Sequence, residues 1–254
     1  MIAETEPPLI ENMETHAHEL HKAPGHGWKH YLFEFFMLFL AVFCGFLAEN
    51  FREEMVNHQR EHGYMKSLVQ DLKQDTAQLK KIIFLLDEKI RYKDSLLNEL
   101  ANPEIVKNSA KAYNFFNLSY HFPDFIYTDR TIQQLKNSGT MLLIKNTAVS
   151  DSVMDYDSKV KTLYISQSQL NVIALSIAQL KEKLFIQRLF HNNNEETQPA
   201  AVPLLTQSRE MADEFYNQIL DQKAGFIYLK NLDTDLLAYG TRLIDFIKKE
   251  YRLE

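Results

Sequence analysis

Cysteine, glycine and proline are all scarce in this 254-residue chain, with one Cys, seven Gly and seven Pro. A single cysteine excludes an intramolecular disulfide and any Cys-based zinc or iron–sulfur cage. Glycine and proline together reach about half of the roughly 12% that ordinary usage gives. That deficit argues against turn-dense all-β folds, collagen-like repeats and flexible Gly/Ser linkers. Basic excess is absent too: 28 Lys and Arg stand against 34 Asp and Glu. A formal net charge of -6 gives no support for a nucleic-acid surface. No G-x-x-x-x-G-K-[ST], G-x-G-x-x-G or G-x-S-x-G motif occurs, so no catalytic residue and no cofactor is assigned. The chain reads as a non-enzyme. What it does have is 45% hydrophobic residues at a mean hydropathy of -0.31, ample for a core.

Between Tyr31 and Ala48 every residue except Glu34 is apolar, aromatic or glycine. A helix over this stretch reaches roughly 27 Å, enough to cross a hydrocarbon core. Trp28 and Tyr31 stand where an interfacial aromatic belt belongs, and Glu49, Asn50 and Arg52 close the far end. A cleaved signal peptide fits poorly, because the preceding residues hold five Glu against Lys22 and Lys29, and Glu49-Asn50 replaces a small-residue cleavage site. The expected organisation is therefore a polar, His-rich leader (1–30), a transmembrane helix (31–49) and a helical-bundle domain (50–254). The anchor names a first partner, the lipid bilayer. Along it Glu34, Leu38, Ala41, Gly45 and Ala48 share one helix face. Ala41 and Gly45 form a small-xxx-small pair that lets a second helix approach closely. Glu34 then faces that helix, or alternatively reaches the headgroups. Glu34, Ala41, Gly45 and Ala48 are thus the expected transmembrane-association residues. Lys22 and Lys29 before the span, against Arg52, Arg60 and Lys66 after it, do not decide orientation.

After the span the pattern is helical throughout. Met65, Leu68, Val69, Leu72, Leu79, Ile83, Leu86, Ile90 and Leu97 recur at spacings of three, four or seven, with Glu54, Asp71, Lys73, Asp75, Lys80, Lys81 and Lys93 assigned to the solvated face. Asn102-Pro103-Glu104 reads as a helix cap, opening a shorter helix to about Tyr120. A compact helix follows over 131–138, stopped by Gly139, and Asn146 caps what comes next. Val149, Val153, Tyr156, Val160, Leu163, Leu170, Ile177 and Leu184 form one heptad-like series expected to end near Phe190. A loop occupies 191–204, and a last helix carries Leu229, Leu232, Leu236, Tyr239, Leu243 and Phe246, with Gly225 as an interruption. The fold class is all-α: an N-terminal transmembrane helix continuing into an antiparallel bundle of four to five long helices. Tyr113, Phe115, Phe116, Tyr120, Phe122, Phe125 and Tyr127 are expected to pack the short helices onto the long ones, with a ligand pocket as the alternative. The turn after Leu135, with Ser138, Gly139, Leu142 and Ile144, is the expected elbow for partner contact.

Histidines supply the alternative chemistry. Five of nine lie in the leader, among them His16, His18 and His21. Neutral imidazoles in such a tract bind Zn, Ni or Cu. His58-Gln-Arg-Glu-His62 matches the H-x-x-E-H pattern, and Glu54, one turn earlier, shares the face of His58 and His62. Nothing in the sequence supplies the dry cleft and open coordination site that a zinc peptidase needs, so solvated helix face is the simpler account.

Residues 31–53 (YLFEFFMLFLAVFCGFLAENFRE), 64–75 (YMKSLVQDLKQD), 131–146 (TIQQLKNSGTMLLIKN) and 243–251 (LIDFIKKEY) together resemble a bacterial family of single-pass inner-membrane helical-bundle proteins of unknown function. That resemblance implies a bacterial inner-membrane protein with a cytoplasmic N-terminus and a periplasmic bundle. It transfers no catalytic residue, and the His-rich leader departs from it. The expected function is a membrane-anchored interaction, sensory or scaffold module, with a second copy or an envelope protein as partner. A metal-binding envelope protein is the alternative.

Overall fold

The computed structural model describes residues 27–190, 201–206 and 208–253. The leader histidines His16, His18 and His21, and most of the 191–204 loop, lie outside the described residues. Five α-helices follow one another: α1 Trp28–Ala101, α2 Ala110–Ser119, α3 Arg130–Asn137, α4 Thr147–Leu184 and α5 Arg209–Glu250. Only α1, α4 and α5 are long, at 74, 38 and 42 residues. The other two have ten and eight, because the chain turns before either can add another heptad. Among the described residues there is no strand; a lone bridge pairs Phe185 with Leu204. The chain divides into two units, residues up to Met55 and residues from Val56 onward.

The described part of the first unit is the opening of α1. It is long and apolar enough to cross a membrane, and none of its apolar 18-residue window is buried by the chain itself. Phe33, Phe35, Phe36, Phe39, Phe43 and Phe46 are all exposed.

In the second unit the local signals act largely as their chemistry dictates. Asn102 accepts a hydrogen bond from Glu104 N and starts a 3-10 turn, Pro103–Val106. The expected helix to Tyr120 does not run through from there. Asn108 Oδ1 accepts from Ala110 N and Val202 N, while Ser109 N and Oγ both donate to Val202 O, so the chain restarts as α2. Gly139 ends α3 in the left-handed region at φ 67°. Asn146 then caps α4 by accepting from Ala148 N and Val149 N. Helix α4 stops at Leu184, six residues before the expected end, where Phe185 goes extended to bridge Leu204. Gly225 does not interrupt α5. It lets α4 approach, since a Cβ there would lie 2.3 Å from Leu170 Cδ2.

Side-chain pairs give the register of the long helices. Asn146 meets Glu250, Tyr239 OH donates to Ser152 O, and Ser176 bonds Gln218. On the other side of α5, Tyr251 meets Glu61, Lys230 meets Asp87 and Lys93 meets Gln222. Two core clusters result. One joins Met65–Leu86 of α1 to Val149–Leu170 and Phe226–Ile247. The other gathers Leu96, Leu97, Leu100, α2, Ile177–Leu184 and Phe215–Ile219. All eight residues of the heptad-like series in α4 are buried. The aromatic cluster packs as expected: Tyr113 stacks on Phe190 at 3.8 Å, Phe116 tilts against Phe215 at 5.6 Å, and Phe122 meets Phe226 edge-on.

Candidate functional site

The polar chemistry of the second unit begins with a correction. Asp71, Asp75 and Lys93, assigned to a solvated face, are buried. The first two sit one turn apart on α1 and hold the connector between α2 and α3, which has no regular structure to satisfy its own amides. Asp71 accepts from Arg130 Nε at 2.6 Å, Thr131 Oγ1 at 2.5 Å and Thr131 N at 3.2 Å. Asp75 accepts from Thr128 N at 2.9 Å and Tyr156 OH at 3.1 Å. Gln78, the next turn along, bonds both N and O of Ile126, and Tyr127 N donates to Tyr164 OH. Desolvation raises the Asp75 carboxyl above its ordinary range, against the bonds from Thr128 and Tyr156. It raises the Tyr156 and Tyr127 phenols as well, helped by nearby carboxylates. Asp157 is buried too. Burial pushes its carboxyl up, but Lys136 at 2.5 Å and Lys161 at 2.9 Å together hold it below its usual value. These groups form a clamp, since their lone pairs point at backbone amides and cations of the same chain.

Two further buried ionisable groups lie on the seam. Lys93 is fully buried, donates to Gln222 Oε1 at 2.5 Å and sits 4.5 Å above the Phe226 ring. Desolvation, reinforced by Lys89, pulls its amine down to about 7. Asp233 is fully buried, and neither of its carboxyl oxygens has a hydrogen-bond partner among the described residues. Desolvation alone pushes it up to about 7.

A cavity of about 410 Å³ opens where His58, Glu61 and His62 of α1 meet Lys145, Asn146 and the end of α5 at Glu250, Tyr251 and Arg252. Glu61 is buried and accepts from Lys145 N at 2.9 Å and Tyr251 OH at 2.6 Å. That contact, after burial itself, raises the Tyr251 phenol. Asn146 Nδ2 donates to Glu250 Oε2 at 2.9 Å, and the His62 Nε2 lies 3.1 Å from Tyr251 O. The C-terminus of α5 closes with Leu253 N donating to Lys248 O, which puts Arg252 in the left-handed region at φ 49°. The result is a polar recess with cations and carboxylates on its walls.

The expected site residues are distributed differently. Leu135 and Ile144 of the elbow are buried core residues. Leu142, between them, is 92% exposed. Ser138 Oγ donates to Gln134 O at 2.5 Å and lies 2.7 Å from Thr140 Oγ1, securing the turn that Gly139 begins. Glu34, Ala41, Gly45 and Ala48 lie on the exposed opening of α1, and a Cβ on Gly45 would meet nothing within 4 Å. His58 and His62 do line one cavity, Glu54 belongs to the first unit, and no three His, Cys, Asp or Glu side chains among the described residues are grouped to hold an ion. Sequence reasoning missed Glu61, Lys145 and Arg252, which come together only through tertiary packing.

Comparison with protein-family models, with curated proteins and with solved structures returns no match for this chain.

Proposed function

We propose that this protein is a single-pass membrane protein whose α-helical bundle is a non-catalytic interaction, sensory or scaffold module. One observation carries the reading: the 31–48 stretch of α1 presents large apolar side chains on every side, and its own chain covers none of them. Each such side chain left in water forgoes about 1.5–3 kcal/mol of burial, so the stretch needs an apolar surround. Trp28 and Tyr31 at one end, and Glu49 and Arg52 at the other, suit the two faces of a bilayer. The antiparallel reading of the bundle is supported by the falling register of α5 against α4. The non-catalytic reading is supported by the engagement of Asp71, Asp75 and Asp157 in holding their own chain.

Within the membrane, Glu34, Ala41, Gly45 and Ala48 form the face offered to a second copy or an envelope partner. The resemblance noted above favours a bacterial inner membrane, with the N-terminus cytoplasmic and the bundle periplasmic. Alkaline carbonate extraction tests the anchor: the protein is expected to stay in the membrane pellet, and release into the supernatant would refute the span. A periplasm-active reporter fused after Glu254, beside a cytoplasm-active one, tests orientation. Activity of the cytoplasmic reporter would reverse the assignment.

A further inference from the structure

We propose that the cavity bounded by Glu61, Lys145, Glu250 and Arg252 binds a zwitterionic lipid headgroup carrying a phosphodiester and a primary ammonium. This deepens the anchored reading and rests on it. The lining pairs two fixed cations, Lys145 and Arg252, with two carboxylates, Glu61 and Glu250. Opposite charges on one ligand answer that lining better than a single negative charge. At about 410 Å³ the recess is within the usual range of ligand sites. The carboxylates are held in place: Glu61 by Lys145 N and the Tyr251 hydroxyl, Glu250 by Asn146 Nδ2.

Arg252 is the second, independent pointer. Among the described residues it is the sole non-glycine with a positive φ, at the position after a helix where glycine is cheapest. An arginine there costs backbone energy, and Arg252 lines the cavity. Guanidinium suits phosphate, which it binds through two parallel N–H donors. On the anchored reading, the bilayer is the source of such a headgroup. Leu142, three residues before Lys145 and 92% exposed, offers an apolar contact for the acyl region beneath a headgroup.

The test uses the full chain in neutral maltoside micelles, with dihexanoyl-phosphatidylethanolamine, dihexanoyl-phosphatidylglycerol and glycerophosphoethanolamine as probes. Thermal unfolding reads binding. The ethanolamine lipid is expected to raise the melting temperature saturably, with an apparent affinity at least tenfold above that of either other probe. Arg252→Gly is expected to melt at or above the parent temperature without lipid, yet bind at least tenfold more weakly. Lys145→Met, which keeps the backbone bond to Glu61, is expected to weaken binding too. Equal response to the phosphatidylglycerol would overturn the zwitterion, and equal response to the free headgroup would overturn the lipid source. No saturable response, or unchanged binding by Arg252→Gly, would overturn the site. None of these outcomes alters carbonate extraction, so the anchor and the headgroup site fail separately.

Discussion

Helix α1 reverses the water-soluble pattern over one stretch and again over another. Between Tyr31 and Ala48 it turns phenylalanines and leucines outward on all sides; between Glu61 and Lys93 it buries Glu61, Asp71, Asp75 and Lys93. The two reversals have different causes. On the proposed anchoring, the apolar side chains face outward all round because a bilayer is itself apolar. A charged side chain can face inward only where the protein replaces the water it gives up. Asp71 and Asp75 receive backbone N–H and hydroxyl donors, so burying them organises the connector. Lys93 has one amide oxygen and a ring, and Asp233, on α5, has no partner among the described residues. The clamp carboxylates stabilise; the two poorly matched groups are tolerated.

Breaking the apolar stretch should have the largest effect. Replacing both Phe39 and Leu40 with Arg adds about 2.5–3.5 kcal/mol each to insertion, so carbonate extraction should release the protein. Next come the two mismatched groups, whose pH signatures are opposite. The unfolded chain holds the Lys93 proton up to its ordinary 10.5, whereas the folded protein gives it up near 7. Folding therefore costs most below 7, and stability rises from pH 7 to about 10.5. For Asp233 the folded protein keeps its proton to about 7 while the unfolded chain loses it near 3.8, so stability falls between those values. Together they place a stability minimum near neutrality. Thermal melts of the full chain across pH should show Lys93→Met removing the alkaline rise and Asp233→Leu the acidic fall. Each substitution should raise the melting temperature at pH 7.

Asp71→Ala tests the matched half of the comparison. It strands Thr131 N and Oγ1 in the core and should cost about 2–3 kcal/mol in denaturant melts. Gly225→Ala drives a methyl into buried Leu170 and should cost about 1–3 kcal/mol by the same measurement. Gly139→Ala meets no neighbour, so only its left-handed backbone resists, at about 1 kcal/mol.

Several of these features were legible in residues alone. The caps at Asn102 and Asn146 and the stop at Gly139 are local, each settled by hydrogen bonds or φ within a few positions. The α4 series was legible because a strict heptad repeats in a helix buried along one side. The α5 stripe was read one step off: Leu232, Tyr239 and Phe246 are half-buried, while Gln222, Asp233 and Gly240 take the centre of the seam. No apolar period announces a glutamine, an aspartate or a glycine as core. The cavity was half legible, through His58 and His62, and its other walls come from residues 84 and 190 positions from Glu61.

The sequence by itself determined that the chain is helical, where its capped turns fall and which stretch is apolar enough to cross a bilayer, because each depends on neighbours within one or two turns. Only the tertiary structure decided which charges go inside and which residues share a recess. Those outcomes depend on whether a distant element brings a donor, an acceptor or a cation to the spot, and helical periodicity carries no record of that.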